Sequence, residues 1–283
     1  MFKSLLINLL QFLEISLITS AAYFLVIHGS RNRKTHIAAA KLKQLIALKI
    51  ESKNIIAQAN YANAVCPSLK SKKYSFSDYS KTPLVEIAAL ELAPLSLRES
   101  LVKFALKAES QGYSRVKVLP LFLAPGVHVR EDIPIEIKLA IKQIKERVTI
   151  ELSPFLGKYS ETIDLLADKF KELSSSSQIL VAHGSRMPEV KDYYQDLKTK
   201  LNVITAYWFG SPSLTQQIEM SIAAGQTDIG IVPYFLFPGK ITETIATEVV
   251  SLQAEYPGVN LRLAEPLGAT EALAELIARK IEQ

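Results

Sequence analysis

The chain is poor in the residues that mark whole classes of site. Its 283 residues include one cysteine, Cys66, and four histidines, His28, His36, His128 and His183. A single cysteine excludes an internal disulfide framework and any metal site built from several thiolates. It fits a reducing, cytoplasmic compartment. No stretch reads G-x-x-x-x-G-K-[ST], so no ATP-driven step is expected. G-x-G-x-x-G with a downstream acid is missing, and so is the G-x-S-x-G turn of serine hydrolases. No organic cofactor is therefore expected.

Long apolar runs are also missing. The segment Met1–Ala22 has a lysine, an apolar stretch and small residues, the layout of a signal peptide, but Glu14 interrupts it. Spanning a bilayer takes about 20 uninterrupted apolar residues, so no stable membrane insertion is expected. Residues 1–22 read as an apolar extension. The charge is mildly basic, 33 Lys and Arg against 28 Asp and Glu, and the cations are dispersed along the chain. No nucleic-acid module is visible and no nucleic-acid partner is expected. The balance of 48% apolar and 22% charged residues is that of a globular chain with a real core.

What the chain does have is an internal repeat. Tyr23–Arg31 reads YFLVIHGSR and Ile179–Arg186 reads ILVAHGSR. Then VLPLFLAPG at 118–126 is matched by IVPYFLFPG at 231–239, and Pro154–Gly157 by Pro266–Gly268. A weaker match pairs Ala93–Leu97 with Ser211–Leu214. The order is the same in both halves, which is the signature of a duplication. His28 lies 66 residues before Pro94, whereas His183 lies 29 before Pro212, so the first half carries 37 extra residues. They fall at about 52–82, a Ser-, Asn- and Lys-rich stretch that reads as a long surface loop.

Each half alternates short apolar runs with amphipathic stretches. Strands are expected near 23–28, 84–91, 115–122 and 148–152, and again near 178–182, 202–208, 228–235 and 259–263. Continuous apolar runs suit strands covered on both faces. The fold class is α/β: two tandem, duplicated, doubly wound parallel sheets of Rossmann-like type, with a cleft between them. The expected division is an extension at 1–22, a first domain at 23–175 carrying the site, and a second at 176–283. Ser174–Ser177 marks the boundary.

In open parallel sheets, ligands bind beyond the carboxyl ends of the strands. His28 follows the first strand and sits on that edge. His128 follows the third, in PLFLAPGVHVREDIP, where Asp132 reads as a helix N-cap with Pro134 in the first turn. Glu91 follows the second. Two imidazoles and a carboxylate from three strand ends form a candidate metal site, with Glu91 also a proton acceptor. Alternatively, His28 is a packed turn residue and Glu91 a solvated carboxylate. The repeat puts Phe209 opposite Glu91 and Ile241 opposite His128, so the second half should not bind metal in the same way. His183 reads as structural or as a wall of the cleft, and His36 as a surface residue. Ser30, Arg31, Arg130 and Arg186 are candidates to bind an anionic substrate, since guanidinium forks match carboxylates.

HGSR after the first strand, Glu91 after the second, and FLAPGVHVREDIP after the third resemble the class II sirohydrochlorin chelatases. The duplication resembles their long form, with two chelatase-type domains in one chain. The resemblance covers nearly the whole chain outside residues 1–20 and 52–82. It implies insertion of Co²⁺ or Fe²⁺ into sirohydrochlorin without ATP, for cobalamin or siroheme synthesis. It also implies that the family's active-site histidines and acid fall on His28, His128 and Glu91. The expected partners are thus a tetrapyrrole and a divalent metal that is itself a substrate. The alternative is a metal or tetrapyrrole carrier without turnover, and a further rival is a phosphate-handling hydrolase using HGSR as an anion site. The choice of metal and the oligomeric state stay open.

Overall fold

The computed structural model describes residues 21–65, 83–145 and 147–282. Among them, eight strands form two four-stranded sheets. The first contains β1 (Ala21–Ile27), β2 (Val85–Ala89), β3 (Arg115–Pro120) and β4 (Thr149–Leu152), in the order β2-β1-β3-β4. The second contains β5 (Ser177–Ala182), β6 (Ile204–Tyr207), β7 (Asp228–Pro233) and β8 (Asn260–Leu263), in the order β6-β5-β7-β8. Every pairing is parallel, so every connection crosses over through a helix. The expected α/β class and duplicated architecture are what the molecule has. The strands sit within a few residues of their expected positions, and β1 starts at Ala21, inside the segment read as an extension. Residues 1–20 lie outside the described residues.

The helices are α1 (Arg33–Val65), α2 (Leu97–Ser110), α3 (Ile133–Ile144), α4 (Glu161–Leu173), α5 (Pro188–Leu201), α6 (Leu214–Ala223), α7 (Lys240–Glu255) and α8 (Glu271–Glu282). The weak match between the two Pro-Ser segments has a structural counterpart: Ser96 and Ser213 each close a capping box, with Glu99 and Gln216, at the starts of α2 and α6.

One expectation is overturned. The stretch from residue 52 is not loop from its beginning, because α1 runs on to Val65. The polarity was misleading. Residues 33–65 contain neither proline nor glycine and are rich in Ala, Lys, Gln and Leu, which are good helix formers even on an exposed face. Residues 66–82 lie outside the described residues.

Alternate residues of the strands feed different cores. Phe24 and Val26 of β1 pack with α2 and α3 in one cluster. Ile179 and Val181 of β5 pack in another with α6 and α7. The opposite faces share a third, central core, in which Leu25 and Ile27 of the first sheet join Leu180 and Ala182 of the second. The last helix of each half crosses to the other half. Helix α4 lies against β7 and α5, where Leu173 reaches Gly230, and α8 lies against α1. On α8, Leu273, Leu276, Ile277 and Ile281 are fully buried. At roughly 1.5–3 kcal/mol for each such side chain, they dominate the docking. Exposed ion pairs such as Lys49–Glu271 at 2.8 Å and Lys53–Glu275 at 3.2 Å are screened by solvent and add little beside this burial.

Candidate functional site

Three strand ends of the first sheet converge at one point. His28 directly follows β1. The Glu91 amide donates to the His28 carbonyl at 2.9 Å, which ties the end of β2 to the end of β1. Gly29 makes that approach possible. Its φ is +108°, and a Cβ on it would lie 2.0 Å from the Glu91 carbonyl oxygen, so the close strand-end contact requires glycine. The second half repeats the frame: Phe209 donates to His183 at 2.8 Å, and a Cβ on Gly184 would lie 2.0 Å from the Phe209 carbonyl oxygen. Leu92, next to Glu91, has φ +57° where the second half places Gly210 at φ +123°. A left-handed non-glycine residue beside a cleft is the kind of strain found at functional sites.

The structure brings His28, Glu91 and His128 together. Nε2 of His28 is 4.0 Å and Nε2 of His128 is 3.9 Å from the Glu91 carboxylate. The imidazole centroids are 4.8 Å apart, and Phe122 backs both rings. One donor atom from each of the three side chains falls within 4.8 Å of the others. Ligands about 2.1 Å from an ion and on one side of it lie about 3.0–3.4 Å apart, so the group closes on an ion with side-chain shifts of about an ångström. Two histidines and a carboxylate on one side of an ion leave its other positions open.

The loop carrying His128 is wound as a π turn over His128–Asp132, followed by α3 with Pro134 in its first turn. Single π turns cluster at functional sites. Asp132 is not the side-chain N-cap expected from the sequence. It has helical backbone angles and makes no capping bond. Its carboxylate instead accepts from Nδ1 of His128 at 2.7 Å. The wide turn stacks residues four apart on one face, and this carries the aspartate to the ring. The bond fixes the tautomer with Nδ1 protonated and leaves the Nε2 lone pair facing Glu91. His28 Nδ1 lies 3.3 Å from the Gly29 carbonyl, which favours the same tautomer.

A cleft of about 1450 Å³ opens over His28 and His128, between the carboxyl edges of the two sheets. Its walls are largely apolar: Leu92, Phe122 and Val127 on one side, Phe209, Phe237 and Ile241 on the other. His183 lines it on the far side, with Nδ1 near the Gly184 carbonyl, and Phe209 holds the position of Glu91. Arg31 and Arg186 also line it. The other two expected substrate contacts are otherwise engaged. Arg130 pairs across the cleft mouth with Glu189 at 2.7 Å, which holds that carboxyl below its ordinary range. Ser30 accepts from the Asn32 amide at 3.0 Å, a turn role at the start of α1. A second strap joins Lys34 to Glu243 at 2.8 Å. Deeper in, Tyr193 donates to the Gly157 carbonyl at 2.9 Å, and the single Tyr234 hydroxyl hydrogen is shared between the Tyr193 hydroxyl at 2.7 Å and the Leu123 carbonyl at 2.8 Å. His36 is exposed on α1, away from the cleft. No helix among the described residues is long and apolar enough to cross a membrane.

A family model, CbiX, matches residues 73–173 and again 177–283. The chain belongs to the CbiX family. The two matches fall in the two halves of the repeat, and the first begins at residue 73, within the extra residues that separate HGSR from β2. Curated relatives include a sirohydrochlorin ferrochelatase of Priestia megaterium, 27% identical over 213 residues, which cover 71% of this chain and 77% of that one. A sirohydrochlorin cobaltochelatase of the same organism is 22% identical, over 73% of this chain and 71% of that one. Among solved structures, SirB from Bacillus subtilis with Fe³⁺ superposes with a TM-score of 0.66 at 23% identity, covering 93% of this chain and 94% of that one. This CbiX-family chain thus has the two-sheet fold of SirB over nearly its whole length.

Proposed function

We propose that this chain inserts Co²⁺ or Fe²⁺ into sirohydrochlorin without ATP, and that His28, Glu91 and His128 present the ion. The observation that carries the reading is the group of His28, Glu91 and His128, of which the two histidines line a large, mainly apolar cleft. Ordinary small-molecule sites occupy about 300–1,000 Å³. A cleft of about 1450 Å³ lined by aliphatic and aromatic side chains suits a macrocycle. The relatives' names, a ferrochelatase and a cobaltochelatase, agree with this substrate and both metals.

The chemistry is an exchange. A divalent ion enters the ring and two pyrrole N–H protons leave, so the charge on the macrocycle is unchanged. The ion arrives held by neutral imidazoles and one carboxylate, ligands that bind without trapping it. As they release it, their lone pairs become free, and the same side chains can accept the two departing protons. Asp132 keeps His128 aimed for both roles. The second half, lacking counterparts of Glu91 and His128, closes the cleft. A reducing cytoplasmic setting belongs to the same proposal, supported by the single cysteine.

The test is an anaerobic absorbance assay with sirohydrochlorin and Co²⁺ or Fe²⁺ in excess over protein, beside His28→Ala and His128→Ala. Many turnovers per chain are expected, with both variants falling to the spontaneous rate. A folded wild-type protein giving no turnover with either metal would overturn the proposal in favour of a carrier.

A further inference from the structure

A separate cavity of about 500 Å³ adjoins the main cleft on the second half. Arg186 and Phe209 line both spaces, so they form the sill between them. Two cations, Arg186 and Lys191, line the cavity together with the polar side chains of Ser185, Gln195 and Ser211, and no carboxylate does. The guanidinium of Arg186 is stacked over the Phe209 ring at 5.2 Å. Stacking holds the planar fork in place while leaving its N–H edges free. Among the described residues neither Arg186 nor Lys191 has an ion-pair partner, whereas Arg130 and Lys34 at the cleft mouth are both paired. Two unpaired cations in a concave space without an acid form a site for an anion.

The repeat explains how this site arose. Phe209 occupies the frame that holds Glu91 in the first half, with the same backbone bond to the preceding strand end. Lys191 stands eight residues after His183, where His36 stands eight after His28. Both halves put an arginine at this strand edge, Arg31 and Arg186, but the first sets Glu91 and His36 beside it and the second sets Phe209 and Lys191. The edge that favours a cation in one half favours an anion in the other.

Resting on the proposed function, we infer that Arg186 and Lys191 bind a rim carboxylate of the tetrapyrrole, so that the second half orients the macrocycle whose centre faces His28, Glu91 and His128. A carboxylate accepts both edges of a guanidinium, and an ammonium adds to the pair.

The inference is tested on the full chain with Arg186→Gln/Lys191→Gln, and with Lys191→Glu as a milder change on an exposed position. Metal-free sirohydrochlorin binding is followed by fluorescence, Co²⁺ binding by absorbance, and insertion by its KM. The expected result is about tenfold weaker macrocycle binding and higher KM per cation lost, about 1.4 kcal/mol each, with Co²⁺ affinity unchanged. Methyl esterification of the substrate should weaken its binding to the wild type and leave binding to the double variant nearly unaffected. Wild-type macrocycle affinity in the double variant, or equal losses on esterification in both proteins, would overturn the inference. Absence of insertion by the wild type would count against the proposed function instead, because the fluorescence arm needs no turnover.

Discussion

Gly29→Ala and Gly184→Ala form a matched pair that separates structure from chemistry. In each, the new Cβ would sit 2.0 Å from a carbonyl oxygen, that of Glu91 or of Phe209, and each residue has a positive φ, +108° or +80°. Ordinary contact begins at 3.4 Å, so each strand end must retreat by about 1.4 Å. The left-handed backbone adds roughly 1–3 kcal/mol of strain for a non-glycine residue. Both variants should therefore lose about 2–4 kcal/mol of stability in urea unfolding. Their chemistry should diverge. In Gly29→Ala the retreat carries Glu91 away from His28 and His128, and a displacement of about 1 Å at a reacting group costs on the order of 10²-fold in rate. In Gly184→Ala it moves Phe209, which carries no candidate metal ligand and bears on the substrate through the stacked Arg186. The assay is kcat/KM for metal insertion at a temperature where both variants are folded by circular dichroism. A fall of about 100-fold in Gly29→Ala with less than tenfold in Gly184→Ala is expected. Equal losses, or a folded Gly29→Ala with wild-type kcat/KM, would refute the argument that this glycine sets the site.

Asp132→Ala should weaken Co²⁺ binding by about 10–100-fold, the usual effect of losing an orienting carboxylate, with Asp132→Asn intermediate because its amide oxygen still accepts from Nδ1. Titration of the metal's visible absorbance would reveal it, and unchanged affinity in Asp132→Ala would dismiss the orienting role. Burial raises the Tyr193 phenol to about 12, with its bond to Tyr234 opposing. A raised folded-state value means that this stabilisation is complete below the unfolded value near 10 and is lost as pH rises through about 12. Tyr193→Phe should flatten the fall in stability between pH 10 and 12 at the cost of about 1 kcal/mol at pH 8 for the lost hydrogen bonds. Urea midpoints at pH 8, 10 and 11 would test both, and an unchanged slope would remove Tyr193 as the source.

Much of this was legible in the sequence, and what was not has physical reasons. The strands were readable because buried parallel strands are uninterrupted apolar runs, as YFLVI and ILVA are. That His28, Glu91 and His128 meet followed from their places after three strands whose ends share an edge. Asp132 was visible but misassigned: a carboxylate before Ile-Pro reads as a cap, and nothing in the pattern announces a π turn. The pairing of Arg130 is not legible, because its partner, Glu189, lies 59 positions away on the other half. The extent of α1 was hidden by polar side chains, which say that a segment is exposed and little about its backbone. The crossing of α4 and α8 leaves no trace at all, since an amphipathic helix records that it has an apolar face and not which sheet receives it.

That crossing has a consequence for how the cleft can move. Because α4 and α8 each belong by sequence to one half and by packing to the other, the halves are braced like two doors hung on each other's frames. A wide hinge opening would have to strip Leu273, Leu276, Ile277 and Ile281 from their seats, whereas the contacts at the mouth are polar: the surface pairs Arg130–Glu189 and Lys34–Glu243 and the bond from the Thr35 hydroxyl to the Pro238 carbonyl. The compliant part of the molecule is therefore its rim. Under the proposed function, the macrocycle enters by parting these surface contacts while the braced body that carries His28, Glu91 and His128 stays fixed.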